Sequence, residues 1–150
     1  MSRDPYEFDL PMTITDIEKC IPHRYPFLLL DRVLEYTKGE SIRAIKTVSG
    51  CEPLLQGHFP GNPLVPGVIM IEGLAQASAV LGKLTKGDEC NTCLLMEINE
   101  TRFRRKVVPG DVLEYNVRVA KRRSHFFWFE GEAKVGDEVA ALAKFSAKLS

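Results

Sequence analysis

The chain has 150 residues, 45% of them hydrophobic, and its 20 lysines and arginines balance 20 aspartates and glutamates. That length makes one ordinary domain able to bury roughly 70% of its unfolded surface, and no second domain is required. The balanced charge offers no overall field to recruit nucleic acid or an anionic membrane, so any electrostatic partner has to be read locally.

The opening MSRDPYEFDLPM carries acidic and proline residues where a secretory signal needs an apolar run. Residues 1–12 are expected to be a poorly ordered extension of a single domain covering 1–150. Thr13 to Ile21 has the T-x-x-D character of a capping box in Thr13 and Asp16, with Ile14, Ile17 and Ile21 at helical spacing, which predicts a short helix ended by Pro22. His23, Arg24, Tyr25, Pro26 and Phe27 are read as fixing the entry to a first strand. Phe27 to Tyr36 and Ser41 to Val48 are apolar or β-branched runs parted by Thr37, Lys38 and Gly39, the pattern of a hairpin or meander.

The most informative stretch follows, QGHFPGNPLVPGVIMIEGLAQASAV from Gln56 to Val80. Residues 57–66 hold too many glycines and prolines for a regular element and predict a constrained loop. Pro66 suits the first position of a helix, where its missing N–H costs nothing, and Gly67 lets the backbone approach another group closely. The helix that follows is apolar almost all round, as a helix buried on most of its surface is. Glu72 and Gln76 share one face at i and i+4. A buried carboxylate needs a partner, a hydrogen bond or a proton, so Glu72 demands an explanation. His58 in the loop and Glu72 on the helix make a candidate acid/base pair for work near neutral pH. The bland alternative is a surface histidine and a glutamate pointing through a gap to solvent.

Beyond the helix, Thr92 to Lys106, Val112 to Arg123, Phe126 to Val135 and Glu138 to Ser146 read as strands. Pro109-Gly110-Asp111, Arg123-Ser124-His125 and Gly136-Asp137 mark turns between them. One helix followed by four strands gives an α+β chain whose sheet can curl round the helix. The longest apolar stretch, Gly67 to Leu84, is interrupted by Glu72, Gln76 and Lys83 and falls short of the roughly 20 apolar residues of a membrane span. Cytoplasmic residence is the expectation. Of four cysteines, Cys90 and Cys93 form a C-x-x-C, but Cys20 and Cys51 are single residues elsewhere. A second pair is lacking, so reduced thiols are expected rather than a zinc site or a redox pair. No G-x-G-x-x-G fingerprint is present to hold a dinucleotide. The aromatic run Phe126 to Phe129 is not interleaved with basic residues, which argues against nucleic acid.

Four segments carry a resemblance. HRYPFLLLDRV (His23 to Val33), GHFPGNPLVPGV (Gly57 to Val68), IEGLAQA (Ile71 to Ala77) and RFRRKVVPGD (Arg102 to Asp111) together resemble the acyl-carrier-protein dehydratases of bacterial fatty-acid synthesis, FabZ type. The match is in order from about Ile17 to the end of the chain. It implies a hot-dog fold, with an antiparallel sheet wrapped round a long central helix, and a homodimer with two shared active sites, with a hexameric trimer of dimers as a further assembly. The matching catalytic positions are His58 and Glu72, contributed by opposite subunits. A sister branch, the dehydratase-isomerases, carries aspartate where this chain has Glu72, which favours the FabZ type.

The implied reaction converts a (3R)-hydroxyacyl thioester, carried on the phosphopantetheine of acyl carrier protein, to the trans-2-enoyl thioester. His58 would take the α-proton and Glu72 would protonate the departing hydroxyl. The backbone N–H groups at the helix start, Gly67 foremost, would hold the thioester oxygen. No metal or organic cofactor is required. Phe59, Ile69, Leu74, Val80 and Leu94 or Leu95 are candidates for an acyl tunnel. The family's aromatic tunnel gate is missing from CLLMEIN, and Ile98-Asn99 stands where Ile-Asp is usual. Arg102, Arg104, Arg105 and Lys106 form one basic cluster for carrier-protein docking and Lys121, Arg122 and Arg123 another. A hot-dog thioesterase and a non-catalytic acyl-binding module remain as rival readings.

Overall fold

A computed structural model describes residues 3–150. The capping box forms as the spacing predicts. The Asp16 amide donates to the Thr13 hydroxyl and the Thr13 amide to the Asp16 carboxylate, starting helix α1 (Ile14–Cys20). Arg24 closes the other end, donating to the carbonyls of Glu18, Ile21 and His23. Within residues 3–12, Met12 and Tyr6 touch the rest of the fold. Met12 is fully buried and bridges to Val33, and the Tyr6 hydroxyl donates to Asp88 at 2.8 Å. Met1 and Ser2 lie outside the described residues.

The first strand, β1 (Arg32–Thr37), begins later than its apolar run suggests. A side chain accounts for the difference. The Gln76 amide donates to the Phe27 carbonyl and accepts from the Leu29 amide, both at 2.8 Å, so these backbone groups are satisfied without a ladder. Strand β2 (Ser41–Thr47) pairs with β1, and the loop and a 3₁₀ turn (Pro53–Leu55) lead to helix α2 (Gly67–Lys86). Pro66 occupies the N-cap position rather than the first helical one, and no side chain caps the helix start.

Strands β3 (Cys93–Phe103), β4 (Val112–Arg123), β5 (Phe126–Val135) and β6 (Glu138–Leu149) complete a six-stranded sheet in the order β1-β2-β4-β5-β6-β3, antiparallel throughout. β3 stops at Phe103 rather than Lys106 because the amides of Arg104 and Arg105 both turn to the Ala140 carbonyl. β6 runs past Ser146 because it stays paired with β3 to Leu149. Alternate residues Leu113, Tyr115 and Val117, with Phe127 and Phe129, face inward, as period-2 burial requires. Their aromatic rings continue through Phe129 to Phe145 at a 5.3 Å centroid separation. Against this face lies α2, where every residue from Met70 to Leu84 is buried except Glu72. By length and composition Gly67–Glu89 could cross a membrane, yet 78% of its apolar window is buried against the rest of the chain.

Glycine makes two of these approaches possible. A Cβ at Gly73 would collide with the Tyr115 ring and hydroxyl, and one at Gly67 would come within 2.7 Å of the Phe103 ring. The close approach expected at Gly67 is therefore made by an aromatic side chain.

Candidate active site

His58 lies in the loop before α2, with its Nδ1 at 3.0 Å from the Leu64 carbonyl. A carbonyl only accepts, so that contact places the ring proton on Nδ1 and leaves Nε2 with a free lone pair, the form a general base needs. The ring stacks on Phe59 at 4.1 Å. It opens onto a depression of about 600 Å³ lined also by Gly67, Val68, Met70, Phe103, Arg104, Arg105 and Lys106. Because α2 has no side-chain cap and no acidic residue in its first turn, its leading N–H groups and the positive end of its dipole border the same depression.

Glu72 faces elsewhere. It lines a small cavity of about 60 Å³ with His23, Ala75, Gln76, Ser78, Ala79, Cys93, Leu95 and Ala147. Its side chain keeps 26% of its exposure, and its Oε1 accepts from Gln76 Nε2 at 3.1 Å and stands 3.7 Å from His23 Nε2. Gln76 is only 1% exposed. Its carbonyl oxygen and amide nitrogen are all engaged, which fixes its orientation and through it the carboxylate. Cys93 on the cavity wall is inert, since burial pushes its thiol up to about 12. Cys20 is raised to about 12 by burial as well, and no cluster of potential metal ligands occurs among the described residues.

His58 and Glu72 line different cavities, and no hydrogen bond joins them among the described residues. The tunnel candidates are not brought together either. Leu74 and Val80 are core residues, Phe59 is half exposed in the loop and Leu94 is exposed on β3. Ile69 lines a separate narrow pocket beneath Pro66, and only Leu95 reaches the Glu72 cavity. Of the basic residues, Arg104, Arg105 and Lys106 border the His58 depression while Arg102 does not. Arg105 pairs with Glu138 at 3.0 Å. Lys121 and Arg122 lie over the rings of Trp128 and Phe127. Through the β4–β5–β6 register Arg123 is level with Lys148, whereas Arg104 meets Ala140, so the two clusters stand at opposite ends of the sheet, about 26 Å apart at roughly 3.3 Å per residue. The sequence reading missed Phe103, which covers Gly67, and the approach of His23 to Glu72. The second pairing spans 49 positions and leaves no local signal.

An antiparallel six-stranded sheet curled round one long helix defines a hot-dog-fold protein. A family model described as the FabA-like domain matches residues 21–144. Curated relatives named 3-hydroxyacyl-[acyl-carrier-protein] dehydratase FabZ include one from Caulobacter vibrioides, 52% identical over 136 residues, covering 89% of this chain and 86% of the relative. Another, from Nitratiruptor, is 43% identical over 144 residues and covers 92% and 97%. Among solved structures, the dehydratase heterocomplex ApeI:P of Xenorhabdus doucetiae aligns with a TM-score of 0.79 at 22% identity, over 95% of this chain and 93% of that one. A putative thioesterase from Ralstonia eutropha aligns at 0.63 and 19% identity, over 78% and 83%. These two proteins share the fold and differ in the reaction their names give, so the fold alone does not choose the chemistry. The chain belongs to the FabA-like family, in its FabZ branch.

Proposed function

We propose that this chain dehydrates (3R)-hydroxyacyl-acyl carrier protein to the trans-2-enoyl thioester in fatty-acid synthesis, with His58 of one subunit and Glu72 of another as the acid/base pair. Membership of the FabZ branch supports the reaction. The observation that carries the shared site is the separation of the two half-sites along β3. Cys93 and Leu95, at one end of that strand, border the Glu72 cavity, while Phe103, at the other, borders the His58 depression. β3 is an edge strand with Leu94, Leu95, Met96, Ile98 and Phe103 exposed, an arrangement that invites pairing with another strand. Two copies of β3 paired antiparallel about Ile98 set Cys93 of one beside Phe103 of the other. Each Glu72 cavity then faces the His58 depression of the second copy, and two complete sites result from one two-fold axis.

The chemistry follows from the groups on each side. His58 Nε2 takes the α-proton, and the N–H groups of the uncapped α2 start, from Gly67 on, hold the charge that builds on the thioester oxygen. Glu72, from the opposite subunit, protonates the departing hydroxyl. Arg104, Arg105 and Lys106 at the rim suit the phosphate of a phosphopantetheine arm or an acidic carrier surface. This is work for a cytoplasmic enzyme acting on a protein-bound substrate. The test follows enoyl absorbance and free thiol together with a 3-hydroxyacyl thioester, for the wild-type chain and for His58→Ala and Glu72→Gln. Interconversion without thiol release, reduced by at least about 100-fold in each variant, is the expected result. Thiol release would assign a thioesterase, and silence in both channels with carrier binding retained would assign a binding module.

A further inference from the structure

We propose that His23 is a positioning residue for Glu72, holding the carboxylate of its own chain ready to meet the substrate. The proposal rests on the reading of Glu72 as the acid. His23 Nε2 stands 3.7 Å from Glu72 Oε1, and Gln76 Nε2 reaches the same oxygen at 3.1 Å. Two features of a purely structural histidine are missing: its other nitrogen, Nδ1, is buried without any hydrogen-bond partner, and the Phe27 ring is distant at 6.4 Å between centroids. A histidine kept only for packing would be cheaper as an apolar residue, because an unpaired buried nitrogen has a desolvation cost.

The tautomer follows from the partners. A carboxylate only accepts, so attraction requires the proton on Nε2, and the buried Nδ1 is then the bare acceptor. The main chain is pinned for this task. Arg24 Nη1 donates to the His23 carbonyl at 2.7 Å and to the Ile21 carbonyl at 2.9 Å, and Gln76 holds the Phe27 carbonyl that follows. When Glu72 gives its proton to the departing hydroxyl it gains a negative charge, and the Nε2–H of His23 closes on it as a charge-assisted donor. Gln76 fixes the rotamer of the carboxylate, and His23 answers its charge.

The test compares His23→Ala, His23→Asn and His23→Gln with the wild-type chain in steady-state turnover of a 3-hydroxyacyl thioester, with thermal melting and oligomeric state recorded for each. Glutamine places an N–H at about the reach of Nε2 and asparagine falls short of it. A loss of about tenfold in kcat for the alanine and asparagine variants, with KM little changed and most of the rate recovered in the glutamine variant, is expected for one lost charge-assisted hydrogen bond. Equal losses in all three, a loss confined to KM, or no loss at all would overturn the positioning role. An effect that tracks melting temperature and leaves glutamine no better than asparagine would assign His23 to structure alone. If the wild-type chain itself does not interconvert the thioesters, the reading of Glu72 as acid fails and this inference with it. A wild-type chain that turns over, together with an inactive Glu72→Gln and an unaffected His23→Ala, would remove only the inference.

Discussion

Gly73 and Gly67 each lie under an aromatic ring, and the two rings differ in their freedom to move away from an added methyl group. Tyr115, above Gly73, is 1% exposed and locked between α2 and the sheet, whereas Phe103, above Gly67, is 52% exposed at the end of an edge strand. Gly73→Ala is therefore expected to cost about 3 kcal/mol from overpacking, read as a lower urea midpoint. Gly67→Ala should stay within about 1 kcal/mol, since alanine also favours the helix, and should act on turnover by pushing the Phe103 ring into the His58 depression. The thiols give a second prediction. Burial raises Cys20 and Cys93 to about 12, above the unfolded value of about 8.5, so between those values the native state retains protons that the unfolded chain has lost. Stability contributed by the neutral thiols is fully present below about pH 8.5 and falls as pH rises toward 12. Urea titrations at successive alkaline pH values should show that fall, with a shallower slope for Cys20→Ala, and a thiol reagent at neutral pH should label exposed Cys51 before the other three. At this scale the sequence displayed Glu72 as the break in an apolar helix and Gln76 as its neighbour one turn on. It could not display His23 or Phe103 as partners, because each reaches α2 only through the tertiary fold.

Elements whose signals are local were legible, and elements defined by distant pairing were less so. The capping box at Thr13 and the loop of residues 57–66 depend on neighbours within a few positions, and both appear as read. The start of β1 was misplaced because Gln76, 47 positions beyond Leu29, satisfies the backbone that an apolar run would otherwise offer to a strand. The location of β3 at the sheet edge was likewise invisible, since strand order is set by β6 returning between β3 and β5. That edge carries the next prediction. Leu94→Lys and Ile98→Lys add charge to an exposed strand without entering the core, and charged residues are how natural edges resist pairing. Each is expected to shift the protein toward monomer in light scattering, to leave the melting transition of the fold detectable, and to abolish dehydration, because under the proposed shared site a monomer completes neither acid/base pair. A variant that remained dimeric and active would place the interface on another face.

For the whole molecule, the decisive property is that His58 and Glu72 of one chain open onto different cavities, so the proposed acid/base pair needs a second chain to complete it. Two-fold pairing about β3 predicts a particular pattern of rescue. A chain carrying His58→Ala retains Glu72, and a chain carrying Glu72→Gln retains His58, so each homodimer has two broken sites. In a mixed dimer one site collects both substitutions and the other collects neither. Random mixing makes half of the dimers mixed and thus returns roughly a quarter of the wild-type sites. Coexpression with two different affinity tags, followed by tandem purification of the mixed species, isolates that half and should give about one active site per dimer with an unchanged KM. The alternative, in which both groups of one site come from the same chain through a rearranged loop, leaves every site in the mixed dimer with one broken group. Mixed dimers that are shown by their tags to contain both chains and are still inactive would therefore reject the shared site, while leaving the assignment of His58 and Glu72 to the reaction untouched.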